Sequence, residues 1–261
     1  MTANCILERV SETKSTNDDL LIRWRAGELI DPVARIAHKQ TAGKGRAGRT
    51  WLANPEDSLC FSLAFPFKRR PAELSGLSLL VGLAVIAGIS QACDLSEAAL
   101  HAAGLHLKWP NDLLLNNNKL GGILIEGGQA KADDPTWMII GVGINLRNPE
   151  AIEANLDAGV KASSLSQITK TLPDVEYLWL KLIASLENHL TEFDLHGFKS
   201  CKDSWMKWDA YQNKPVCISG TGKDPIYGIA KGVDETGALL LQQDNKTIAI
   251  HAGDVSLRIQ S

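Results

Sequence analysis

Cysteine, histidine and long apolar segments are sparse in this sequence, and each shortage excludes a class of protein. The five cysteines are odd in number and form no Cys-x-x-Cys pair, which argues against a disulfide framework or a zinc knuckle. The six histidines include no pair at the helical spacing of metal ligands. The apolar run at residues 77–89 is shorter than the about 20 residues that a membrane-spanning helix needs, so it predicts a buried core helix.

Excess charge and targeting signals are missing as well. The net charge of −3 gives no support for nucleic-acid binding, because domains that bind nucleic acids are usually basic. The N terminus carries Glu8, Arg9 and Glu12 and therefore lacks the apolar core of a signal peptide. We expect a soluble, cytoplasmic protein with no DNA partner, no membrane association and no metal site of its own.

The pattern of apolar residues predicts a chain of mixed α and β structure. Of the 261 residues, 44% are hydrophobic and 22% are charged, which is typical of a globular protein. Strands are predicted by apolar or alternating segments at residues 5–10, 33–39, 58–65 and 137–146. Helices are predicted at residues 74–92 and 177–193, and between a cap at Ser15 or Thr16 and Gly27.

Two further patterns complete the predicted fold. The apolar runs 113–115 and 120–125 flank an Asn-rich turn and predict a β-hairpin, because Asn tolerates a left-handed conformation. From residue 212 onward the chain becomes a series of short alternating strands with glycine turns. We therefore expect an α+β fold, with a mixed β-sheet and flanking helices over residues 1–211 and a small, partly open SH3-like β-barrel over residues 212–261.

Residues 43–51, Gly-Lys-Gly-Arg-Ala-Gly-Arg-Thr-Trp, are the most informative segment. Three glycines and three cations fall within seven positions. Glycines allow close approach of the backbone to a ligand, and unpaired cations do not pack in a core. The segment predicts a flexible, positive loop that closes on a phosphate or a carboxylate. An exposed basic turn without function is the alternative.

Two familiar nucleotide motifs nearly fit this segment, and both fail. Residues 43–48 have the letters of the dinucleotide fingerprint, but Pro55 argues against the helix that must follow. Lys68 stands where that fingerprint needs an acidic residue. The P-loop pattern fails too, because Arg49 replaces its lysine and again no helix follows.

Four other polar segments accompany the loop. Residues 15–17, Ser-Thr-Asn, lie at a predicted helix N-terminus and serve either as a cap or as ligand contacts. Residues 108–112, Lys-Trp-Pro-Asn-Asp, interrupt a predicted strand with a proline. Residues 119–122 place a lysine at a hairpin tip before two glycines, either solvated or ready for a phosphate. Residues 141–145 end a buried strand with an asparagine.

These five segments, in this order, resemble biotin–protein ligases. The match covers the Ser-Thr-Asn, the segment from Gln40 through the loop, Lys-Trp-Pro-Asn-Asp, Lys-Leu-Gly-Gly-Ile-Leu-Ile-Glu at 119–126, and Gly-Val-Gly-Ile-Asn at 141–145. The resemblance runs from about residue 6 to residue 261. It implies the fold of class II aminoacyl-tRNA synthetases and biotin ligases, in the short form without the N-terminal DNA-binding domain that some bacterial relatives carry.

The resemblance also implies a two-step reaction. The carboxylate of biotin attacks the α-phosphate of ATP, brought with Mg²⁺, and gives biotinyl-5′-AMP and pyrophosphate. A lysine of the biotin carboxyl carrier protein of acetyl-CoA carboxylase then attacks the mixed anhydride. This chemistry needs cations around phosphates and a loop that excludes water, and it needs no enzyme nucleophile.

The site residues follow from the resemblance by matching position. The implied catalytic residues are Lys119 and Arg46. The implied biotin-binding residues are Ser15, Thr16, Asn17, Gln40, Lys44, Gly45, Arg46, Lys119 and Gly122. The implied ATP-binding residues are Arg49, Trp51, Asn111, Lys119 and Asn145, with Trp51 packing on adenine. Many relatives have arginine at the position of Lys44, so the charge is kept there but the fork of donors is lost.

Three alternatives remain to be weighed. A lipoate–protein ligase would carry an Arg-Arg-x-Ser-Gly-Gly-Gly motif, which is absent. A biotin-sensing regulator would need a basic recognition helix, and none is predicted. A biotin-binding protein without catalysis would not need all of the cations Lys44, Arg46, Arg49 and Lys119. The sequence leaves the oligomeric state open, a homodimer included.

Overall fold

The computed structural model describes residues 4–150, 161–220, 223–252 and 255–259. Parts of the predicted domains 1–211 and 212–261 therefore lie outside the described residues. A seven-stranded mixed sheet forms the centre of the larger unit. Its strands are β1 (Ile6–Thr13), β2 (Val33–Gln40), β3 (Ser58–Phe67), β4 (Leu105–Lys108), β5 (Asp112–Leu115), β6 (Asn118–Gly128) and β7 (Thr136–Asn145). They lie in the order β1-β2-β3-β7-β6-β5-β4, with β1 and β2 parallel and all other neighbours antiparallel.

Helices cover both faces of this sheet. The described helices are α1 (Thr16–Arg25), α2 (Leu77–Cys93), α3 (Glu97–Ala102), α4 (Val175–His196) and α5 (Lys202–Met206). Successive residues of a strand face opposite sides, so Ile139 packs with α1 in a small apolar cluster while Ile140 belongs to the main core with α2 and α4. The predicted helix at 74–92 is confirmed as α2, which is apolar around its whole circumference because it is buried between the sheet and α4.

The predicted caps and turns fit the structure closely. Ser15 is the N-cap of α1, and its side chain accepts a hydrogen bond from the Asp18 amide. The helix ends at Arg25, shortly before Gly27, which has a positive φ of 72°. Asn116 and Asn117 join β5 to β6 with φ of 51° and 64°, so the predicted hairpin is confirmed.

The segment 108–112 differs from its prediction. It does not interrupt one strand but forms the turn between β4 and β5, which pair with each other antiparallel, and the Trp109–Pro110 peptide bond is cis. Lys119 also differs, because it lies within β6 and not at the hairpin tip, and only 22% of its side chain is exposed. In this arrangement the charged side chains of Lys108, Asp112 and Lys119 lie next to one another.

The C-terminal strands form a second, antiparallel sheet. They are β8 (Pro215–Gly220), β9 (Lys223–Val233), β10 (Leu239–Gln243), β11 (Lys246–Ile250) and β12 (Val255–Ile259), in the order β11-β10-β9-β8-β12. Within the described residues β11 and β12 do not pair, so the expected barrel is an open sheet. Sequence reasoning missed β9, because Pro225, Gly228 and Gly232 break its alternation.

The second sheet packs directly against the larger unit. Buried residues of both, including Trp109 and Leu241, form one apolar cluster. The indole N–H of Trp109 donates to the Gly237 carbonyl at 3.0 Å. The C-terminal module is thus attached to the 108–112 turn. The free edge of β4 is covered by a different segment, the end of the larger unit, since the Leu107 amide donates to the Trp208 carbonyl at 2.7 Å.

None of the helices in the described residues has both the length and the apolar character required to cross a membrane.

Candidate active site

A pocket of about 420 Å³ lies on the face of the main sheet that carries α1, under the loop at residues 43–51. Its lining includes the whole set of residues predicted from the sequence: Ser15, Thr16, Asn17, Gln40, Lys44, Gly45, Arg46, Arg49, Trp51, Asn111, Lys119, Gly122 and Asn145. Because these positions come from strands, turns and one helix N-terminus far apart in the chain, their convergence is a property of the fold. Their individual roles stay predictions.

One end of the pocket is neutral and rich in hydrogen bonds. The Thr16 amide donates to Gln40 Oε1 at 2.8 Å, and the Thr16 hydroxyl lies 2.7 Å from the Ser62 hydroxyl. Ser62 Oγ donates to Asn17 Oδ1 at 2.6 Å, and Asn17 Nδ2 donates to a carboxylate oxygen of Glu126 at 2.9 Å. Thr16, Asn17 and Ser62 are all buried. This end of the pocket therefore suits a small, uncharged, polar ring.

Sequence reasoning missed Ser62 as part of this end. The one feature of the sequence that could have indicated Ser62 is its hydroxyl inside the otherwise apolar segment 59–65 of β3. A close packing at Gly141 was also hidden. A Cβ placed on Gly141 would lie 2.5 Å from Asn17 Oδ1, so only glycine lets the asparagine lie against β7.

The opposite end of the pocket is cationic. Lys119 Nζ lies 2.8 Å from one carboxylate oxygen of Asp112, and Lys108 Nζ lies 3.3 Å from the other. All three side chains are largely buried, with 22%, 17% and 19% exposed for Lys119, Asp112 and Lys108. Asp112 thus fixes Lys119 in place while one net positive charge remains in the cluster. The sequence analysis gave Asp112 no such role.

The charges of the two lysines govern the titration of Asp112. Burial alone would raise the pKa of this carboxyl, but the attraction of Lys119 and Lys108 outweighs it and lowers the pKa below its ordinary value of 3.8. A carboxylate with a lowered pKa in the folded state stabilises the protein above the pKa of the unfolded state, and this contribution is lost as the pH falls through the folded-state pKa.

Asp112→Asn should therefore destabilise the fold at neutral pH. It leaves two largely buried ammonium groups without their counter-charge, and we expect a loss of about 2–3 kcal/mol in the free energy of unfolding. The difference from wild type should shrink below about pH 4, where the unfolded-state carboxyl of the wild type becomes protonated. Denaturant unfolding over a range of pH measures it. Asp133→Asn, on an exposed turn, is the matched control and should change little. A constant difference down to pH 2 would contradict this account.

The loop at residues 43–51 folds back over the pocket as a tight turn. Lys44 and Thr50 form an antiparallel bridge, and the Trp51 amide donates to the Gly43 carbonyl at 2.9 Å. Two side chains attach the turn to the body of the protein. Lys44 Nζ lies 2.7 Å from Asp18 Oδ1 at the surface, and Arg46 Nη1 donates to Asn111 Oδ1 at 3.0 Å inside the pocket. The side-chain Nδ2 of Asn111 in turn donates to the Ile123 carbonyl at 2.8 Å, so this side chain is held on β6.

The Trp51 ring packs against the backbone of two glycines. A Cβ placed on Gly143 would lie 2.4 Å from the indole ring, and one on Gly122 would lie 3.3 Å from it. The indole N–H donates to Cys60 Sγ at 3.2 Å. Burial raises the pKa of the Cys60 thiol to about 12, although hydrogen bonds from Trp51 and Gln40 oppose the rise. Cys60 is therefore protonated at neutral pH and has a packing role rather than that of a nucleophile.

Asn145 presents an unsatisfied acceptor. Its Nδ2 donates to the carbonyls of Lys119 and Ser163, each at 3.1 Å, and these two acceptors fix the orientation of the amide. Asn145 Oδ1 is buried and has no hydrogen-bond partner among the residues that the structure describes. A buried acceptor without a partner costs free energy, so a ligand donor in the pocket would compensate for it.

The described residues contain no group of three or more His, Cys, Asp or Glu side chains placed to hold a metal ion.

A pocket with a neutral, hydrogen-bonding end, a cationic end and a cationic loop above it suits a ligand that is polar at one end and anionic at the other. Such an arrangement is suited to enzymes that bind small carboxylic acids. Within that class, residues 9–145 match the model of the biotin/lipoate A/B protein ligase family, and residues 213–258 match that of the biotin protein ligase C-terminal domain. The chain belongs to the biotin/lipoate A/B protein ligase family and is a ligase.

Individual relatives agree with this assignment. The chain is 35% identical to the bifunctional ligase/repressor BirA of Salmonella typhimurium, over 94% of its own length and 72% of the relative's. It is 32% identical to the biotin–[acetyl-CoA-carboxylase] ligase of Mycobacterium tuberculosis, over 95% and 88% of the two lengths. Its fold is similar to the Aquifex aeolicus biotin protein ligase in complex with biotin and ATP, with a TM-score of 0.78, 28% identity, and 98% and 99% of the two chains covered.

Proposed function

We propose that this chain is an ATP-dependent biotin–protein ligase that forms biotinyl-5′-AMP and transfers biotin to a lysine of a biotin carboxyl carrier protein. The observation that carries the proposal is the single pocket that holds both a neutral, hydrogen-bonding end and the Lys119 ammonium beneath a cationic loop. The names of the M. tuberculosis relative and of the A. aeolicus complex support biotin and ATP as substrates.

The neutral end is assigned to the ureido ring of biotin, which has two N–H donors and one carbonyl acceptor. Thr16, Asn17 and Ser62 offer buried polar atoms at hydrogen-bond spacing, and Ser15 and Gln40 border them. The dithiolane ring of lipoate has no N–H or O–H donor. It would leave the remaining lone pairs of these buried oxygen atoms without a donor, which a binding site penalises strongly, so we favour biotin over lipoate.

The cationic end is assigned to the reacting groups. Lys119, held by Asp112, would bring the carboxylate of biotin and the α-phosphate together and stabilise the charge that develops as one attacks the other. Arg46, held by Asn111, would cover the phosphate from above, with Lys44 and Gly45 beside it. The folded loop would exclude water from the mixed anhydride until the lysine of the carrier protein arrives.

The remaining lining residues are assigned to ATP. Asn145 Oδ1, an acceptor without a partner among the described residues, is suited to the exocyclic amine of adenine, and the Trp51 ring offers an aromatic surface for the base. Arg49 is exposed on the loop and would reach the outer phosphates. Mg²⁺ accompanies a nucleoside triphosphate and takes oxygen ligands, but Asp112, the one carboxylate among the described lining residues, is engaged by two lysines. We therefore assign Mg²⁺ to the phosphates of ATP and to water.

The macromolecular partner in this proposal is the carrier protein and not DNA, since the chain has a net charge of −3. All five cysteines are free, as in proteins of a reducing compartment, and we place the reaction in the cytoplasm.

A homodimer and the division into domains at residue 212 stay predictions.

Biotin-dependent exchange of labelled pyrophosphate into ATP tests the first step directly. We expect exchange with biotin and none with lipoate. Equal exchange with both acids would refute the choice of substrate, and no exchange with either would refute the proposed activation.

The loop at residues 43–51 should become more rigid when the pocket is filled. Its three cations repel one another, and its glycines are entropically costly to fix, so an anion beneath it should stabilise the folded turn. Amide hydrogen exchange within the loop should slow at least tenfold with biotin and ATP together. The β8–β9 pair, remote from the pocket, is the internal control. Equal protection of the loop with and without ligands would show that it does not close.

A further inference from the structure

Glu126 lies behind the neutral end of the pocket and is not part of its lining. It is half-buried on β6, and one of its carboxylate oxygens accepts a hydrogen bond from Asn17 Nδ2 at 2.9 Å. Within the described residues it forms no ion pair. A carboxylate has only acceptors to offer, so this contact has a fixed direction.

That direction determines the orientation of Asn17. If the amide were flipped, its carbonyl oxygen would face the Glu126 carboxylate, and two acceptors would repel each other. Asn17 must therefore point its NH₂ group at Glu126 and its Oδ1 at Ser62.

The two hydroxyls must then follow. Ser62 has one hydroxyl proton, and donating it to Asn17 Oδ1 at 2.6 Å uses it. The Thr16 hydroxyl reaches two acceptors, Gln40 Oε1 at 3.1 Å and Ser62 Oγ at 2.7 Å. Because the Ser62 proton is already used, the Thr16 hydroxyl donates to the nearer of them, Ser62 Oγ. Every hydrogen bond in this series therefore has the same direction: Thr16 donates to Ser62, Ser62 to Asn17, and Asn17 to Glu126. Gln40 Oε1 remains satisfied by the Thr16 amide at 2.8 Å.

We propose that Glu126 is a specificity-determining positioning residue, which orients this chain of hydrogen bonds so that the pocket wall presents lone pairs to ring N–H donors. With their protons used inside the network, Thr16, Ser62 and Asn17 can offer the ligand only acceptors at their oxygen atoms. A cyclic urea, with two N–H groups, matches such a wall. A ring with an oxygen in place of N–H would face it lone pair to lone pair.

The inference rests on the proposed function, because it takes biotin as the cyclic urea. Glu126→Gln is the test, since the glutamine has the same shape but can donate as well as accept. It allows the Asn17 side chain to flip. The direction of each hydrogen bond in the series can then reverse, so that a hydroxyl donor faces the pocket. Glu97→Gln, exposed on α3, is the matched control.

Dissociation constants of the full-length protein are measured by calorimetry for biotin and for its two cyclic carbamate isomers, in which oxygen replaces one ureido N–H. For the wild type we expect the weaker isomer to bind roughly 100-fold less tightly than biotin. Glu126→Gln should weaken biotin binding about tenfold and reduce that 100-fold ratio to about tenfold. Thermal unfolding should stay unchanged, because the substitution is isosteric and half-exposed.

Each other outcome has a definite meaning. A wild-type protein that does not bind biotin refutes the proposed function. A wild-type protein that binds biotin and both carbamates equally refutes an acceptor wall. A Glu126→Gln protein that keeps the wild-type ratio refutes the role of Glu126, and so does one that weakens all three ligands by the same factor, because that would be a structural effect alone.

Discussion

Replacing Lys119 with alanine is expected to lower biotin-dependent pyrophosphate exchange by roughly 100- to 1000-fold, the loss typical for one preorganised group that stabilises developing charge. Lys119 is the ammonium held in the pocket by Asp112 at 2.8 Å, and its side chain is only 22% exposed. A charge fixed in this way does not have to reorganise when the phosphate becomes more negative, which is why its loss should be so large.

The fold should survive this substitution. Asp112 keeps Lys108 as a partner at 3.3 Å, so the carboxylate is not left without a cation. Lys161→Ala, an exposed residue next to the bridge that Lys119 forms with Ala162, is a suitable control and should leave exchange unchanged. Exchange within threefold of wild type in Lys119→Ala, with normal thermal unfolding, would remove Lys119 from the reaction.

Replacing Arg46 with glycine is expected to release the intermediate instead of abolishing its formation. Arg46 connects the loop to Asn111 at 3.0 Å inside the pocket, where the proposed function places the phosphate. A charge-assisted hydrogen bond contributes about 1.5–3 kcal/mol, so escape of biotinyl-5′-AMP should accelerate roughly 10- to 100-fold. Lys119 stays in place, and some adenylate should still form.

The released adenylate would react with any exposed lysine. With an unrelated lysine-rich protein present, Arg46→Gly should biotinylate that bystander, as detected by blotting, while the wild type labels only the carrier. Arg46→Lys keeps the charge but not the forked donor and should fall between the two. If Arg46→Gly labels only the carrier, the contact between Arg46 and Asn111 does not retain the intermediate.

The parts of the site that sequence predicts best are those whose residue types conflict with their local structure. Glycines and cations together at 43–51 cannot form a core, and a proline in an apolar region at 110 cannot continue a sheet, so both stand out. The apolar run that forms α2 and the Asn-rich turn at 116–117 are predictable for a different reason, because apolar patterning and turn chemistry act over a few residues.

The parts that sequence does not predict depend on how separate strands and helices come together. Ser62 and Glu126 look like ordinary strand residues until β3 and β6 bring them to Asn17. Asp112 resembles any turn carboxylate until the β4–β5 turn and β6 place two lysines around it. The first two contacts are fixed by the packing of α1 on the sheet, and those of Asp112 by the register of β4, β5 and β6, which local patterns do not encode.

The attachment of the C-terminal module is hidden for a further reason. Gly237 looks like a turn glycine, which it is, with a φ of 80°. Its carbonyl also accepts the indole N–H of Trp109, and a Cβ on it would lie 2.7 Å from Gly76 Cα. Because a turn alone explains the glycine at this position, the sequence does not indicate that Gly237 also contacts the larger unit of the protein.

Transfer of biotin to a purified carrier domain is the measurement that tests the central claim most directly. The protein is mixed with biotin, ATP, Mg²⁺ and a biotin carboxyl carrier domain, and the carrier is analysed by intact mass spectrometry. The account predicts one added biotinyl group on one carrier lysine, dependent on ATP, and none on a carrier in which that lysine is replaced by arginine. A carrier that stays unmodified while the protein binds biotin and ATP would contradict it.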